Sequence, residues 1–540
     1  MTRLTPDLRD RAFRWIADDV DPDSRAELQQ VVAGAMGGVP GAVDDLADRM
    51  GGPLTFGTAG LRGPVRAGPN GMNRAVVVRT TAGVAEWLVR QGHAGGVVVV
   101  GRDARHGSEA FSRDAAGVLA AAGFDVRVLA QPLPTPVLAF AVRSLGAVAG
   151  VQITASHNPP QDNGYKLYLD GGAQIVPPAD REIEAAIAAA FPAVSVPLAS
   201  GWTTADLLQS YLDTVVAVPR GTARVLKVAA TALHGVGAGP LSMALHEAGF
   251  TDVNLVAEQS VPDPDFPTVG FPNPEEPGAT DLLLAKASEV DADIAVALDP
   301  DADRCAVGVP TPSGWRMLTG DETGALLAEH ILSTTTAVNP LVANTIVSSS
   351  LLESIATAHG ARYAATLTGF KWLVRAGDGL VYAYEEALGH CVDPTHVTDK
   401  DGISAAVLLC DLAATLRAQD HTLLDALDAL YTRHGVHLTR QISLRVSDLA
   451  AIPALMRGLR ATPPPSFAGI PVTAEDLLPA ADVLRYTGEG VRVLVRPSGT
   501  EPKIKAYLET SATGDLSTAR TTASDRLDRV AEEITALFGA

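Results

Sequence analysis

Two hexapeptides hold most of the chemistry that this 540-residue chain can perform. Residues 154–159 read Thr-Ala-Ser-His-Asn-Pro, and residues 299–304 read Asp-Pro-Asp-Ala-Asp-Arg. The first offers a hydroxyl nucleophile, Ser156, on a tight polar loop beside His157 and Asn158. Pro159 and Pro160 keep that loop from running on into a helix. The second sets Asp299, Asp301 and Asp303 at alternate positions, where a curled loop can turn all three carboxylates toward one ion. Three carboxylates without thiol or imidazole favour Mg2+ over zinc. A serine that carries a phosphoryl group needs such parts: an oxygen to bear it and acids to hold its counter-ion.

Each motif also has a plainer reading. Ser-His-Asn can be an ordinary turn, and the Asp triplet an acidic surface loop. An EF-hand is excluded, because the sixth position is Arg304 and the twelfth is Pro310, where Gly and Glu are required. Residues 162–166, Asp-Asn-Gly-Tyr-Lys, predict an αL-capable turn that brings the cation of Lys166 close to Ser156. Arg304 is a candidate phosphate contact. Residues 57–63, Gly-Thr-Ala-Gly-Leu-Arg-Gly, present flexible amides and Arg62 but lack the Gly-Lys-Ser/Thr of a nucleotide P-loop. Residues 496–503, Arg-Pro-Ser-Gly-Thr-Glu-Pro-Lys, follow a strand and supply Arg496, Ser498, Gly499, Thr500 and Lys503. Such a nest of amides and cations suits a dianionic phosphate. Thr368-Gly369-Phe370-Lys371 adds another cation, and Glu385-Glu386 offers carboxylates to sugar hydroxyls.

The elements that position these groups follow from hydrophobic periodicity. Residues 1–50 read as a helical leader, with Leu8, Ala12, Trp15 and Ile16 on one face. Beyond it, β-branched runs alternate with Ala/Leu-rich helices. Strands are expected at 97–100, 126–129 and 148–153, then at 224–231, 253–257 and 294–298, then at 341–347 and 380–384. This is an α/β pattern with mostly parallel sheets, and the helix expected at 403–419 is amphipathic. The last segment differs: strands at 491–495 and 504–508 flank a turn, and a helix at 516–537 closes a small α+β domain. The expected division is a leader 1–50 packed on domain 1, then domains 51–205, 206–315, 316–440 and 441–540.

Bulk composition bounds the partners. A formal charge of −20 argues against nucleic acid or an anionic membrane surface, though a basic cleft for a small anion remains compatible with it. Three widely spaced cysteines (Cys305, Cys391, Cys410) suggest a reducing compartment and no disulfide framework. The first 25 residues are dense in both charge signs and do not read as a secretory h-region. The expectation is a cytoplasmic protein acting on a small molecule.

With these residues in view, the chain resembles the α-D-phosphohexomutases, the phosphoglucomutase/phosphomannomutase superfamily, over essentially its full length. TASHNP, DPDADR, YEEALG and RPSGTEPK occur in the family's order as phosphoserine, metal, sugar and phosphate loops. GTAGLRG, QDNGYK, TGFKW and DKDG (399–402) look most like the phosphoglucomutase-2-like branch. The resemblance implies a four-domain architecture, three related α/β domains and a C-terminal α+β domain. It implies that Ser156 is phosphorylated and that one Mg2+ per chain bridges the phosphoserine and the three aspartates. Arg62, His157, Asn158, Lys166 and Arg304 would surround the transferring group, Glu385 would bind sugar hydroxyls, and Arg496, Ser498, Gly499, Thr500 and Lys503 would grip the other phosphate. The implied activity moves phosphate between C1 and C6 of a hexose phosphate, with glucose phosphates first and mannose phosphates second. Many family members have Glu-x-Ser where this chain has Glu385-Glu386-Ala387, which brings pentose phosphates and a sugar bisphosphate synthase into consideration. A non-catalytic phospho-sugar-binding regulator is the more distant reading. A sugar bisphosphate activator and a monomer or weak homodimer complete the expectation.

Overall fold

Short runs of β-branched residues need hydrogen-bonded neighbours, and Ala/Leu-rich helices between them make parallel pairing the natural outcome. The computed structural model describes residues 4–55, 60–446, 451–497 and 503–539. Its first sheet contains β1 (Leu61–Pro64), β2 (Val97–Arg102), β3 (Asp125–Leu129), β4 (Ala149–Ile153), β5 (Asp162–Leu169) and β6 (Thr203–Ala205), in the order β1-β5-β4-β2-β3-β6. Strand β2 lies parallel to β3 and β4, whereas β5 runs antiparallel to both β4 and β1. The second sheet contains β7 (Lys227–Thr231), β8 (Asp252–Leu255), β9 (Ile294–Leu298), β10 (Cys305–Thr311) and β11 (Gly314–Met317), in the order β11-β10-β9-β7-β8. Again the core is parallel, β7 with β8 and β9, and β10 returns antiparallel beside β9.

The two sheets therefore share one device. A fully buried parallel strand, β4 or β9, ends in a polar loop, and the chain comes straight back as an antiparallel neighbour. TASHNP fills the first loop and DPDADR the second. In the third sheet β12 (Leu341–Thr345) is flanked in parallel by β13 (Arg362–Thr366) and β14 (Leu380–Glu385), and the short β15 (Gly389–Cys391) follows in the chain. The fourth sheet is antiparallel throughout. It is built from β16 (Val436–Arg445), then, after a small hairpin of β17 (Ser466–Phe467) and β18 (Ile470–Pro471), from β19 (Thr473–Asp476), β20 (Leu484–Gly488), β21 (Val491–Pro497) and β22 (Lys503–Ala512). The helix Leu516–Leu537 buries Leu527, Val530 and Ile534 in the core of this sheet.

The chain divides into two compact units, Met1–Met317 with Gly389–Asp411, and Leu318–Leu388 with Leu412–Ala540. The leader forms three helices (Pro6–Asp18, Pro22–Met36 and Ala42–Arg49) with a small core of Leu8, Ala12, Ile16, Leu28, Val32 and Leu46. Its Trp15 packs against Val78, Val118 and Val196 of the first unit.

Two local expectations change. Residues 162–164 open strand β5 and do not form a turn, because they pair with β1, Gly164 O accepts from Thr154 N at 3.1 Å, and Asn163 Nδ2 donates to His106 O and Ser108 Oγ at 2.8 and 2.9 Å. The helix Gly402–Arg417 is not amphipathic: it is buried on every side through Ala414. Among the described residues no helix is long and apolar enough to cross a membrane.

One buried acid in the second unit gives a pH signature. Asp321 Oδ1 accepts from Ser349 N at 2.7 Å and from the Tyr384 hydroxyl at 3.0 Å. Burial, reinforced by the nearby Glu386 and Glu509 carboxylates, pushes its carboxyl up to about 7 against the pull of the Ser349 amide. The folded chain thus keeps a proton that the unfolded chain releases near 3.8. Its stabilising contribution is complete below the unfolded value and is lost as pH rises to about 7. Relative to wild type, Asp321→Asn should gain thermal stability as pH is raised from 5 to 8. Parallel Tm–pH curves for the two proteins would contradict this.

Candidate active site

Ser156 stands at the turn after β4 with φ of 54°, a left-handed backbone unusual for serine. Its amide donates to Thr154 Oγ1 at 2.9 Å, and its carbonyl accepts from Arg105 Nη2 at 2.7 Å. Arg105 also donates to the carbonyls of Asn158, Pro159 and Asp162, so one buried guanidinium holds the whole loop from beneath. Asp103 keeps that cation company, with Oδ2 at 3.4 Å from Arg105 Nε. The Ser156 hydroxyl donates to Asp299 Oδ2 at 2.8 Å, and His157 Nδ1 lies 3.2 Å from the same hydroxyl oxygen. Arg62 Nη1 donates to Asn158 Oδ1 at 3.1 Å, and Asn158 Nδ2 to Asp162 Oδ2 at 2.9 Å.

The aspartate loop meets the serine loop directly. Ligand oxygens of Asp299, Asp301 and Asp303 all lie within 4.8 Å of one another, and all three residues are buried. Ala302, at φ of 56°, turns the loop, and Arg304 N donates to Asp299 Oδ1 at 3.0 Å. Lys166 reaches in from β5 and donates to Asp301 Oδ2 at 2.6 Å and Asp303 Oδ2 at 2.8 Å. Thr135, at the start of the helix Thr135–Ser144, donates its hydroxyl to Asp301 Oδ2 at 2.5 Å. The remaining oxygens, Asp301 Oδ1 and Asp303 Oδ1, are buried without a hydrogen-bond partner among the described residues. Buried carboxylate oxygens are rarely left in that state, and a hard divalent cation is what this donor set fits. The cluster could hold Mg2+ with the serine oxygen beside it.

The electrostatics of the cluster are uneven. Burial, then repulsion from Asp301 and Asp303, holds the Asp299 carboxyl well above the ordinary range. Burial would also raise Asp303, but Lys166, Lys400 and Arg304 outweigh it and hold that carboxyl low; Asp301 is lowered too, chiefly by Lys166. Burial would lower Lys166, but the two aspartates hold its ammonium above the usual value. Burial first, then the charges of Arg304 and Arg62, drive His157 well below the usual imidazole range, which keeps it neutral at pH 7.

Three contributors were not singled out for the site by the sequence. Arg105 is one. Lys400, whose Nζ lies 3.3 Å from Asp303 Oδ2, is another; it arrives on the segment that re-enters the first unit. Gly402 permits that approach, since a Cβ there would sit 2.5 Å from Arg304 O. The third is the loop His234–Gly237 under the metal loop, where Val236 N donates to Pro300 O at 2.9 Å. A Cβ on Gly235 would collide with Pro300 Cα at 2.3 Å.

The other predicted residues belong to the second unit. Thr368, Gly369 and Lys371 follow β13, and Glu385 and Glu386 end or follow β14, so both groups lie at the same edge of a parallel sheet. Glu386 Oε2 is already engaged, accepting from Thr345 Oγ1 and Ser348 Oγ at 3.0 Å each. Arg496 closes β21 and Lys503 opens β22. Ser498, Gly499 and Thr500 lie outside the described residues, as do Gly57, Thr58 and Ala59 of the GTAGLRG stretch.

A buried serine hydroxyl against three carboxylates, ringed by cations, is the equipment of a phosphoryl-transferring enzyme. Comparison with known proteins agrees along the chain. Four models of the phosphoglucomutase/phosphomannomutase family match in order: α/β/α domain I at residues 53–193, domain II at 209–313, domain III at 319–434 and the C-terminal domain at 442–520. A Haemophilus influenzae protein named "Probable phosphomannomutase" is 42% identical over 452 residues, covering 81% of this chain and 93% of its own. The phosphopentomutase of Mus musculus is 33% identical, covering 92% of this chain and 89% of its own. A crystal structure of a Thermus thermophilus protein assigned as a phosphomannomutase superposes with a TM-score of 0.72 at 26% identity, covering 90% of this chain and 99% of that one. The chain belongs to the phosphoglucomutase/phosphomannomutase family. It is an isomerase-type phosphotransferase that acts on phospho-sugars.

The orphaned oxygens lead to a measurement that does not depend on turnover. Adding Mg2+ should raise the wild-type Tm, by the equivalent of about 2.7 kcal/mol at a hundredfold excess over Kd. In Asp303→Ala the Mg2+-dependent rise should largely vanish. An undiminished rise would take Asp303 out of the ligand set.

Proposed function

We propose that this chain relocates phosphate between C1 and C6 of a hexose phosphate, glucose phosphates first and mannose phosphates second, through a phosphoserine at Ser156. The observation that carries this reading is the 2.8 Å hydrogen bond from Ser156 Oγ to Asp299 Oδ2, made across 143 residues of sequence. It joins the TASHNP hydroxyl to the acidic cluster that would hold its counter-ion. One Mg2+ per chain, held by Asp299, Asp301, Asp303 and the serine oxygen, would supply Lewis-acid neutralisation of the phosphoryl oxygens.

The protein residues divide the remaining work. The phosphoryl group leaves the Ser156 oxygen and bonds to the free sugar hydroxyl, giving a bisphosphorylated sugar. The sugar turns end for end, and its other phosphoryl group passes to Ser156, restoring the phosphoserine. Arg62, Arg304 and Lys166 stabilise negative charge on the group in flight. Lys166 already donates to two carboxylates and enters as a cation. His157, with a ring nitrogen 3.2 Å from the serine oxygen, is the residue we assign to the hydroxyl proton. Glu385 takes the sugar hydroxyls, with Thr368, Gly369 and Lys371 on the neighbouring loop. Arg496 and Lys503, with Ser498, Gly499 and Thr500 between them, hold the phosphate that is not reacting.

A phosphopentomutase is the second reading. It is favoured by Ala387, which stands where many family members have a serine hydroxyl for the sugar, and by the similarity to the mouse phosphopentomutase. Domains divided at 50/51, 205/206, 315/316 and 440/441, a monomer or weak homodimer, and a sugar bisphosphate activator belong to the same proposal. So does a cytoplasmic setting, supported by three buried free cysteines.

Separate incubation with glucose 1-phosphate, mannose 1-phosphate and ribose 1-phosphate decides between the readings. The expected result is fastest isomerisation of a hexose phosphate; a strong preference for ribose 1-phosphate would replace it with the pentose reading, and net release of a bisphosphate with a synthase. Ser156→Ala should fall below about a thousandth of wild-type kcat. An alanine variant that retains several per cent of the activity would rule out the covalent route. Arg496→Ala should raise KM by about tenfold, in line with loss of a charge-assisted contact; an unchanged KM would remove that residue from the phosphate loop.

A further inference from the structure

The loop after β12, residues 346–350, is gripped from two sides within the second unit. On one side stands the sugar loop. Glu386 Oε2 accepts from Thr345 Oγ1 and Ser348 Oγ at 3.0 Å each, and Glu386 N donates back to Ser348 Oγ at 3.1 Å. Tyr384, just before Glu385, is tied to the same place: its hydroxyl accepts from Asn344 Nδ2 at 3.2 Å, and Asn344 Nδ2 also donates to Ser349 O at 2.8 Å.

On the other side stands the antiparallel sheet that carries Arg496 and Lys503. Arg492 on β21 donates to Ile346 O at 3.0 Å and to Ser348 O. Its partner Glu509 on β22, directly opposite in register, receives Arg492 Nη2 at 2.6 Å. Glu509 Oε1 also accepts from Ser349 Oγ at 2.7 Å, Ser350 N at 2.9 Å and Ser350 Oγ at 3.0 Å. Val347 completes the grip, packing into an apolar cluster with Val483, Leu494 and Tyr507. Ser348 and Ser349 are almost wholly buried, so the bonds they make are largely shielded from water, where each is costly to leave unmade. Arg492 and Arg496 lie on one strand, four residues apart, about 13 Å at strand rise.

We propose that residues 346–350 form a rigid spacer between the sugar loop and the phosphate hairpin, and that Glu386 acts as a positioning residue locked to this spacer through Ser348. This rests on the assignment above of Glu385 to the sugar and of Arg496 and Lys503 to the distal phosphate. The spacer would fix the distance between the two grips and thereby select among sugar phosphates by length. A five-carbon and a six-carbon phosphate differ in the separation between hydroxyls and distal phosphate, and a stiff frame converts that difference into affinity.

The test is a cycle of Glu386→Gln, Ser348→Ala and the double variant, with KM and kcat measured on hexose and pentose phosphates and the Ser156 phosphate measured by intact mass. Each single variant should raise KM for the preferred substrate about fivefold, leave kcat within about twofold and narrow the ratio of kcat/KM between the two sugar classes. The double variant should be no worse than the worse single one. A rise confined to Glu386→Gln would make Glu386 a direct sugar ligand and overturn the proposal. Additive effects, a pure kcat loss or no effect would overturn it too. Arg492→Lys, which keeps the cation beside Glu509 but loses the fork to the two carbonyls, should narrow the same ratio and speed hydrogen exchange at residues 346–350. If the Ser156 phosphate forms normally while these variants behave as wild type, only the spacer fails and the mutase reading stands.

Discussion

Three carboxylates held within 4.8 Å of one another and out of water repel strongly, and much of the first unit is arranged around that repulsion. Lys166 is the main answer to it. It is itself buried and lies between Asp301 and Asp303, so that each charge makes the others tolerable. Lys400 adds a second ammonium beside Asp303, and the Arg304 amide fixes Asp299. The balance is incomplete by construction. Asp299 takes its hydrogen bonds from the serine hydroxyl and a backbone N–H, and its carboxyl is held high. Asp301 and Asp303 each keep one oxygen without a hydrogen bond among the described residues. A buried three-carboxylate cluster that keeps two oxygens without hydrogen bonds, even with cations around it, is predisposed to accept a divalent cation.

The fold brings Ser156 and this cluster together by using one local solution twice. Strands β4 and β9 are both buried along their full length, and each gives way to an antiparallel return strand. A reversal in so few residues forces left-handed backbone onto residues that disfavour it, Ser156 in one loop and Ala302 in the other. Such strain persists only where surroundings over-determine it. Arg105 provides this for the serine loop through four carbonyls, and the close packing of Gly235 and Gly402 provides it for the aspartate loop. The Ser156 hydroxyl is thereby placed by backbone geometry rather than by a flexible side chain.

What the sequence made legible follows the range of the interactions involved. Ser156 and the three aspartates were readable because each group is contiguous and its spacing already implies its chemistry. The strand before each motif was readable from β-branched runs, and the helix at 516–537 from its period. Arg105 was not, since nothing near Arg-Asp-Ala-Arg tells which carbonyls, about fifty residues away, its guanidinium will serve. Lys400 lay in a recognised motif, yet its place beside Asp303 depends on the chain re-entering the first unit. The Asp-Asn-Gly run at 162–164 misled because its turn propensity is local, whereas its pairing with β1, about a hundred residues earlier, is tertiary. The helix expected at 403–419 misled in the same way: amphipathicity was expected, but the helix is buried through Ala414, and Asp411 is consumed inside, by Arg224 and the amides of Arg220 and Gly221.

A mutase faces a demand that a one-way transferase escapes, because its product must be acceptable as a substrate in the reversed orientation. Groups that recognise the sugar cannot be shaped too closely to one end of it. What both orientations share is a distal phosphate at a set distance from the ring hydroxyls, and that quantity is best read by two grips at a fixed spacing. On the proposed reading, the buried polar bonds of the second unit serve such spacing. Arg492 and Glu509 form a desolvated fork on one short loop, and the hydroxyl-rich stretch nearby, Thr345 to Ser350, is turned inward to hold protein. Ala387 fits the same proposed logic: with no hydroxyl at that position, a loop that binds the sugar would rely less on hydrogen-bond pattern and more on the stiffness of its anchorage.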